Sequence, residues 1–190
     1  MPAYLQFRVE LQRALPAIWR RFLIQPDASF ADLHDAIQAA CGWKNRHLYS
    51  FHAKALGPNP IAGVADEDDP GTPDAQRVLL NTHFGPYRRC LYLYDFGDGW
   101  EHEVSLEGAP ELPEVFERKL LGGERAFPPE DCGGISGYEE CVALIRKGNP
   151  TNASERALKK WIGRWDPERV EIEKAARQFD RLKARKTSGA

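Results

Sequence analysis

The chain has 190 residues, of which 42% are hydrophobic and 28% charged, a composition typical of one globular domain spanning residues 1–190. It contains no apolar run of the roughly 20 residues that a bilayer-spanning helix needs, which argues against a membrane protein. The formal net charge is only −2, and the charge is uneven, since residues 154–190 hold 11 Lys and Arg against 6 Asp and Glu. The basic segment, predicted to be helical over residues 154–186, is either a solvated helix face or a surface that contacts phosphates.

The first ten residues, MPAYLQFRVE, show neither the basic start nor the apolar stretch of a secretory signal. The four cysteines are scattered, without a Cys-x-x-Cys pair or the spacing of a zinc ribbon. Isolated cysteines of this kind are typical of reduced thiols. We therefore expect a cytoplasmic protein.

Strands are predicted at the start of the chain and a helix after them. YLQFRVEL and IWRRFLI alternate apolar and polar residues, and the short connection between them favours an antiparallel pair. SFADLHDAIQAACGW has the spacing of an amphipathic helix, with Ser29 and Asp32 forming a capping box and Gly42 ending it. HLYSFHA, residues 47–53, alternates again and predicts a third strand.

Residues 56–76 contain four prolines, three glycines and a block of acids. This composition predicts a flexible surface loop that forms no packed element. The acids lack the alternating oxygen ligands and the terminal glutamate of a calcium loop.

The last third of the chain is predicted to be helical. One helix is expected to begin with a capping box made by Ser136 and Glu139, and a basic helix follows in ASERALKKWIGRW. A final helix is expected to have Asp166 as its cap and Pro167 as its first residue. Strands first and helices last predict an α+β fold, with a mainly antiparallel sheet of hairpins packed against several helices.

The stretch YDFGDGWEHEV predicts a hairpin closed by Gly97-Asp98-Gly99. In the register that buries most aromatic surface, Phe96 faces Trp100 and Tyr94 faces His102. A two-residue Asp98-Gly99 turn is the alternative and shifts the pairing by one residue. In the preferred register both Phe96 and Trp100 are core residues.

The same register makes Asp95 and Glu101 cross-strand neighbours, and like charges in that position repel each other unless a cation lies between them. Arg20 or Arg21 could supply the cation, and so could a divalent metal.

Two functions from different classes follow. The preferred one is a non-catalytic binding or accessory module, without cofactor, whose partner is a protein or a nucleic acid. The alternative is a metal-dependent hydrolase or nuclease that holds Mg²⁺ or Mn²⁺ at Asp95, Asp98 and Glu101. The candidate functional cluster for either is Asp95, Asp98, Glu101, His102 and Asp131. Convergence of these carboxylates in a cleft would favour the metal-dependent function.

Five separated motifs resemble one known family. IWRRFLI, FADLHDAIQAACGW, HLYSF, YDFGDGWEHEV and PPEDCGGISGYEE are similar, in the same order, to the plasmid pRiA4b open-reading-frame-three-like family. The resemblance spans roughly residues 4–182, nearly the whole chain. It implies an α+β fold and a bacterial or archaeal protein encoded on plasmids or mobile elements, and it brings no assigned biochemical role.

Overall fold

The fold is seen in a computed structural model that describes residues 1–53, 59–64, 71–170 and 172–180. Within these residues there are seven strands: β1 (Leu5–Leu11), β2 (Trp19–Ile24), β3 (Tyr49–His52), β4 (Ala62–Gly63), β5 (Arg89–Tyr94), β6 (Trp100–Gly108) and β7 (Arg118–Glu124). The same part of the chain forms five helices: α1 (Phe30–Cys41), α2 (Leu80–Phe84), α3 (Gly134–Lys147), α4 (Ala153–Ile162) and α5 (Ile172–Phe179).

The strands form one sheet in the order β4-β3-β5-β6-β1-β2-β7, and every neighbouring pair is antiparallel. The predicted α+β class is therefore confirmed. The helical C-terminal third is confirmed in part, because turns separate α4 from α5 and the chain after Asp180 lies outside the described residues. No helix in the described ranges is both long and apolar enough to cross a bilayer.

Apolar and polar residues alternate along β1 and β2, and the apolar residues lie on the face of the sheet that forms the core. Phe7, Val9 and Phe22 are fully or almost fully buried, and Phe7 lies directly opposite Phe22 in the antiparallel pair that the sequence predicts. The helix α1 contributes Phe30 and further apolar side chains to the same hydrophobic core. The other face of the sheet carries ion pairs.

Both ends of α1 follow the sequence prediction. The Ser29 hydroxyl accepts a hydrogen bond from the Asp32 amide, and the Asp32 carboxylate accepts one from the Ser29 amide, so two otherwise unpaired donors are satisfied. Gly42 ends the helix at φ +78°, a left-handed conformation that glycine adopts without steric cost.

The register predicted for the β5–β6 hairpin is wrong by two residues. Tyr94 faces Trp100 and Tyr92 faces His102. A shift of two residues leaves each side chain on its original face, so Trp100 is buried as predicted, but Phe96 falls in the loop and is 55% exposed. The hairpin opens at Asp95, which adopts φ +56° and accepts the amide of Gly97 on its own carboxylate.

The segment predicted to be an unpacked loop, residues 56–76, differs from that expectation where it is described. Residues 54–58 and 65–70 lie outside the described part of the chain. Ala62, in β4, pairs with β3 and is buried, and so is Ala75. The Ala75 carbonyl accepts the Ala31 amide at 3.0 Å, which satisfies a donor in the first turn of α1.

Replacing residues 56–76 with a Gly/Ser linker is therefore expected to destabilise the protein by about 2–4 kcal/mol, because packing is lost and a buried amide is left without its partner. In a chain of this size the melting temperature should fall by about 5–15 °C. Replacing only the acidic residues 66–69 removes none of these contacts and is the control. An unchanged melting temperature after the full replacement would contradict the packing of β4 and Ala75.

The two later helix starts also differ from the predictions. α3 begins at Gly134, so Ser136 and Glu139 do not form its capping box. Gly134 has φ +66°, and a Cβ atom there would lie 2.4 Å from the Asp98 carbonyl oxygen. The first residue of α3 therefore packs directly against the loop of the β5–β6 hairpin. Asp166 accepts the Glu168 amide in a turn, and α5 begins only at Ile172.

Candidate metal centre

Three loops bring one histidine and two aspartates together. His47 lies between α1 and β3, Asp95 directly follows β5, and Asp131 lies between β7 and α3. His47 Nε2 is 2.6 Å from Asp131 Oδ1 and 3.5 Å from Asp95 Oδ2. One ligand atom from each side chain lies within 4.8 Å of the others.

Pairing of β3 with β5 positions His47 beside Asp95. Tyr49 faces Tyr94 in this pair, and the Asp95 amide donates to the Leu48 carbonyl at 2.9 Å, just beyond the strands. The Asp95 Oδ1 atom accepts the amides of the hairpin loop, which directs Oδ2 toward His47. Asp95 is only 9% exposed, so its carboxylate is held in one orientation.

Two further carboxylates hold the Asp131 loop in place. Glu130 accepts the Tyr94 hydroxyl at 2.6 Å and the Lys44 amide at 3.1 Å, which ties the loop to β5 and to the segment that carries His47. Asp98 accepts the Gly133 amide at 3.0 Å from the other side. Glu130 uses both of its carboxylate oxygens in these bonds, and Asp98 uses Oδ2, so both residues position the Asp131 loop.

The histidine offsets part of the negative charge at the centre. Burial disfavours the charged imidazole, but the hydrogen bond from His47 to Asp131 and the nearby carboxylates of Asp95 and Glu130 outweigh burial and raise the pKa of His47. The raised pKa favours the imidazolium form of His47 beside Asp95.

The predicted arginine partners are wrong. Arg20 is buried and donates to main-chain carbonyls, among them that of Ala40 at 3.1 Å and that of Arg125 at 2.9 Å. Arg21 pairs with Glu107 at 2.6 Å on the outer face of the sheet. Neither arginine therefore pairs with Asp95.

Glu101 and His102 also lie apart from the centre. Glu101 faces Leu93 across the hairpin, as the corrected register requires, and pairs with Arg13 at 3.3 Å. His102 is fully buried, with Nδ1 3.1 Å from the Trp100 carbonyl oxygen, and burial lowers its pKa to about 4. It is a neutral core residue.

Of the five predicted cluster residues, the structure brings Asp95, Asp98 and Asp131 to one group of loops. The residue that sequence reasoning missed is His47. Its signal is weak: a histidine between the end of a helix and the start of a strand, where functional residues are common.

An imidazole nitrogen and two carboxylate oxygens form a ligand set suited to a divalent transition metal, and three protein ligands leave further coordination positions open. The His47, Asp95 and Asp131 side chains are the only such group of three within the described residues. Cys132 adjoins the centre, but burial raises the pKa of its thiol to about 12, so it is not a ready thiolate ligand.

The fold and the centre define an α+β protein with one antiparallel sheet and a loop-borne cluster of histidine and aspartates. A sequence profile of the plasmid pRiA4b ORF-3-like protein family matches residues 3–174, and the chain belongs to this family. It is 34% identical over 181 residues to the uncharacterized protein y4hQ of Sinorhizobium fredii, covering 93% of this chain and 87% of that one.

A crystal structure of a protein of unknown function, MM3350 from Methanosarcina mazei Go1, has the same fold. The TM-score is 0.79 at 30% sequence identity, over 92% of this chain and 98% of that one.

Proposed function

We propose that the protein is a binding module that holds a divalent cation at His47, Asp95 and Asp131 and binds its partner's oxygen atoms through that cation. The observation that carries the proposal is the convergence of the three ligand atoms within 4.8 Å. Two aspartates and a neutral histidine offset the charge of one divalent ion.

The ligand chemistry favours Mn²⁺ over Mg²⁺. Mg²⁺ strongly prefers oxygen ligands and keeps much of its water, whereas an imidazole nitrogen suits Mn²⁺, Fe²⁺ or Zn²⁺. The sequence predicted Asp95, Asp98 and Glu101 as the metal ligands. In the proposed site only Asp95 remains a ligand, and His47 and Asp131 complete the set. A phosphate or carboxylate of a protein or nucleic acid partner could complete the coordination of the ion.

A metal-dependent hydrolase is the second candidate, because three protein ligands with open positions are typical of catalytic metal sites. A bound metal would lower the pKa of a coordinated water and polarise a phosphate oxygen. Both oxygens of Glu130 are already hydrogen-bonded, to Tyr94 and to the Lys44 amide, whereas Asp98 uses only Oδ2, for the Gly133 amide. Asp98 is therefore the candidate proton acceptor. A binding module needs only the three metal ligands, whereas a hydrolase also needs a proton acceptor, so binding is the preferred function.

The proposal is tested by thermal unfolding of chelator-treated protein with added MnCl₂. A ligand present at about 100 times its Kd stabilises the native state by about 2.7 kcal/mol. The melting temperature of the wild type should then rise by about 5–10 °C. Asp131→Asn and His47→Gln should remove this rise, because the first replaces an anionic carboxylate ligand with a neutral amide and the second removes the imidazole nitrogen.

Glu101→Gln is the matched control, since this carboxylate pairs with Arg13 and lies outside the centre. It should respond to Mn²⁺ like the wild type. A wild type with no response to Mn²⁺, Zn²⁺ or Mg²⁺, or a Glu101→Gln variant that loses the response, would rule out the cation site. Phosphodiester or phosphomonoester hydrolysis that depends on Mn²⁺ and on Asp98 would favour the hydrolase instead.

A further inference from the structure

The exposed side of α4 carries positive charge beside an aromatic ring. Arg156 and Lys160 lie one helical turn apart and are both exposed. Trp161 is next to Lys160 in the sequence, and half of its surface is exposed. The opposite side of the helix carries the buried Ile162 and the half-buried Leu158, which pack into a hydrophobic cluster with α3.

The cations on the exposed side of α4 lack ion-pair partners within the described ranges. Among the described residues no ion pair involves Arg156, Lys160 or Arg164, whereas Glu155, on the inner side of α4, pairs with Lys147 at 2.8 Å. The helix dipole favours a cation in the last turn and accounts for Lys160. It accounts neither for Arg156 in the second turn nor for an exposed tryptophan.

Two residues past the end of α4, Arg164 lines a cavity of about 390 Å³. Gly163 turns the chain there with φ +64°. The cavity is lined by Ala126, Arg164, Trp165, Asp166, Arg169 and Lys174. Three cations and one carboxylate give it a net positive lining, and Asp166 already accepts the Glu168 amide.

We propose that this basic surface, made of Arg156, Lys160, Trp161, Arg164, Arg169 and Lys174, binds single-stranded nucleic acid. Arginine and lysine neutralise the phosphates, and a base stacks on the indole of Trp161. A single strand fits better than a duplex, because the faces of paired bases are covered by their neighbours.

This surface uses none of the residues of the metal centre, so the proposal goes beyond the proposed function and can succeed or fail separately. Its test is fluorescence anisotropy of a labelled 20-nucleotide oligo-dT with the full chain, in chelator, at several NaCl concentrations. Arg156→Glu with Lys160→Glu should weaken binding at least tenfold. The slope of log K against log [NaCl] should become shallower by about 1.4, the value for two lost single-strand phosphate contacts.

Trp161→Ala should weaken binding on the order of tenfold while leaving the salt slope unchanged, as expected for a lost stacking contact. The matched control is Arg77→Glu with Arg88→Glu, which changes the net charge equally at two exposed arginines outside the basic surface. The control should retain wild-type affinity.

Four results would overturn the proposal: no binding by the wild type, an equal loss in the control, equal affinity for a duplex of the same length, or an unaffected Trp161→Ala variant. Binding to anionic phospholipid vesicles without binding to oligo-dT would assign the surface to a membrane instead. All substituted side chains are exposed, and an unchanged melting temperature verifies that each variant folds.

Discussion

Replacing Trp100 with alanine is expected to lower the free energy of unfolding by about 3–5 kcal/mol, the cost of removing a large aromatic side chain from a packed core. Trp100 is fully buried, faces Tyr94 across the hairpin and packs against Trp43, with ring centroids 5.6 Å apart. Urea unfolding followed by circular dichroism measures the loss without depending on tryptophan fluorescence.

Two further variants make the measurement specific. The Trp100 indole N–H has no hydrogen-bond partner among the described residues, so Trp100→Phe keeps most of the packing, removes an unsatisfied donor and should cost far less than alanine. Phe96→Ala is the matched control, since this ring is in the loop and 55% exposed, and it should cost less than about 1 kcal/mol. A large loss for Phe96→Ala would instead support the register predicted from the sequence.

The elements that could be predicted from the sequence are those whose signals are local. The α1 capping box needs only residues three apart, and the β1–β2 pair needs only alternation and a short connection. The hairpin register fails for a related reason. Registers two residues apart place each strand residue on the same face, so alternation cannot separate them, and the decision depends on the left-handed conformation of Asp95.

The burial of Arg20 could be predicted from the alternation along β2. Alternation along β2 places it on the same face as Ile18 and Phe22, toward the core. This position is incompatible with the predicted pairing of Arg20 with Asp95. Main-chain carbonyls satisfy its guanidinium, and burial lowers its pKa.

The metal centre could be predicted only in part, because it depends on contacts between distant segments. His47 reaches Asp95 only because β3 pairs with β5, and no local pattern specifies that pairing. Asp131 approaches from a third segment, where Gly134 permits close contact with the Asp98 carbonyl. The sequence therefore indicates the aspartates as candidates but not the histidine that completes the centre.

Acidification is expected to destabilise the protein through His102. Burial among Trp43, Tyr92 and Phe127 lowers the pKa of His102 to about 4, and its Nε2 atom has no partner within the described residues. An unfolded histidine has a pKa of about 6.5, so the unfolded chain binds the proton more readily than the native protein. Above pH 6.5 His102 is neutral in both states and costs no stability. As the pH falls to 4, protonation of His102 in the unfolded chain lowers the free energy of unfolding by about 3 kcal/mol.

Urea unfolding of the wild type and of His102→Gln at pH 7.0 and pH 4.5 isolates this contribution. The buried His34 and His52, whose pKa values burial also lowers, contribute equally to both proteins and cancel in the comparison. The difference in unfolding free energy between the two pH values should be about 2.5 kcal/mol smaller in the variant. His47→Gln is the control: the pKa of His47 is raised, so its stabilisation is present at low pH and lost as the pH rises, and this variant should keep the full acid loss. Parallel pH profiles for the wild type and His102→Gln would mean that the folded protein admits a charged His102, which its apolar surroundings and unpartnered nitrogen argue against.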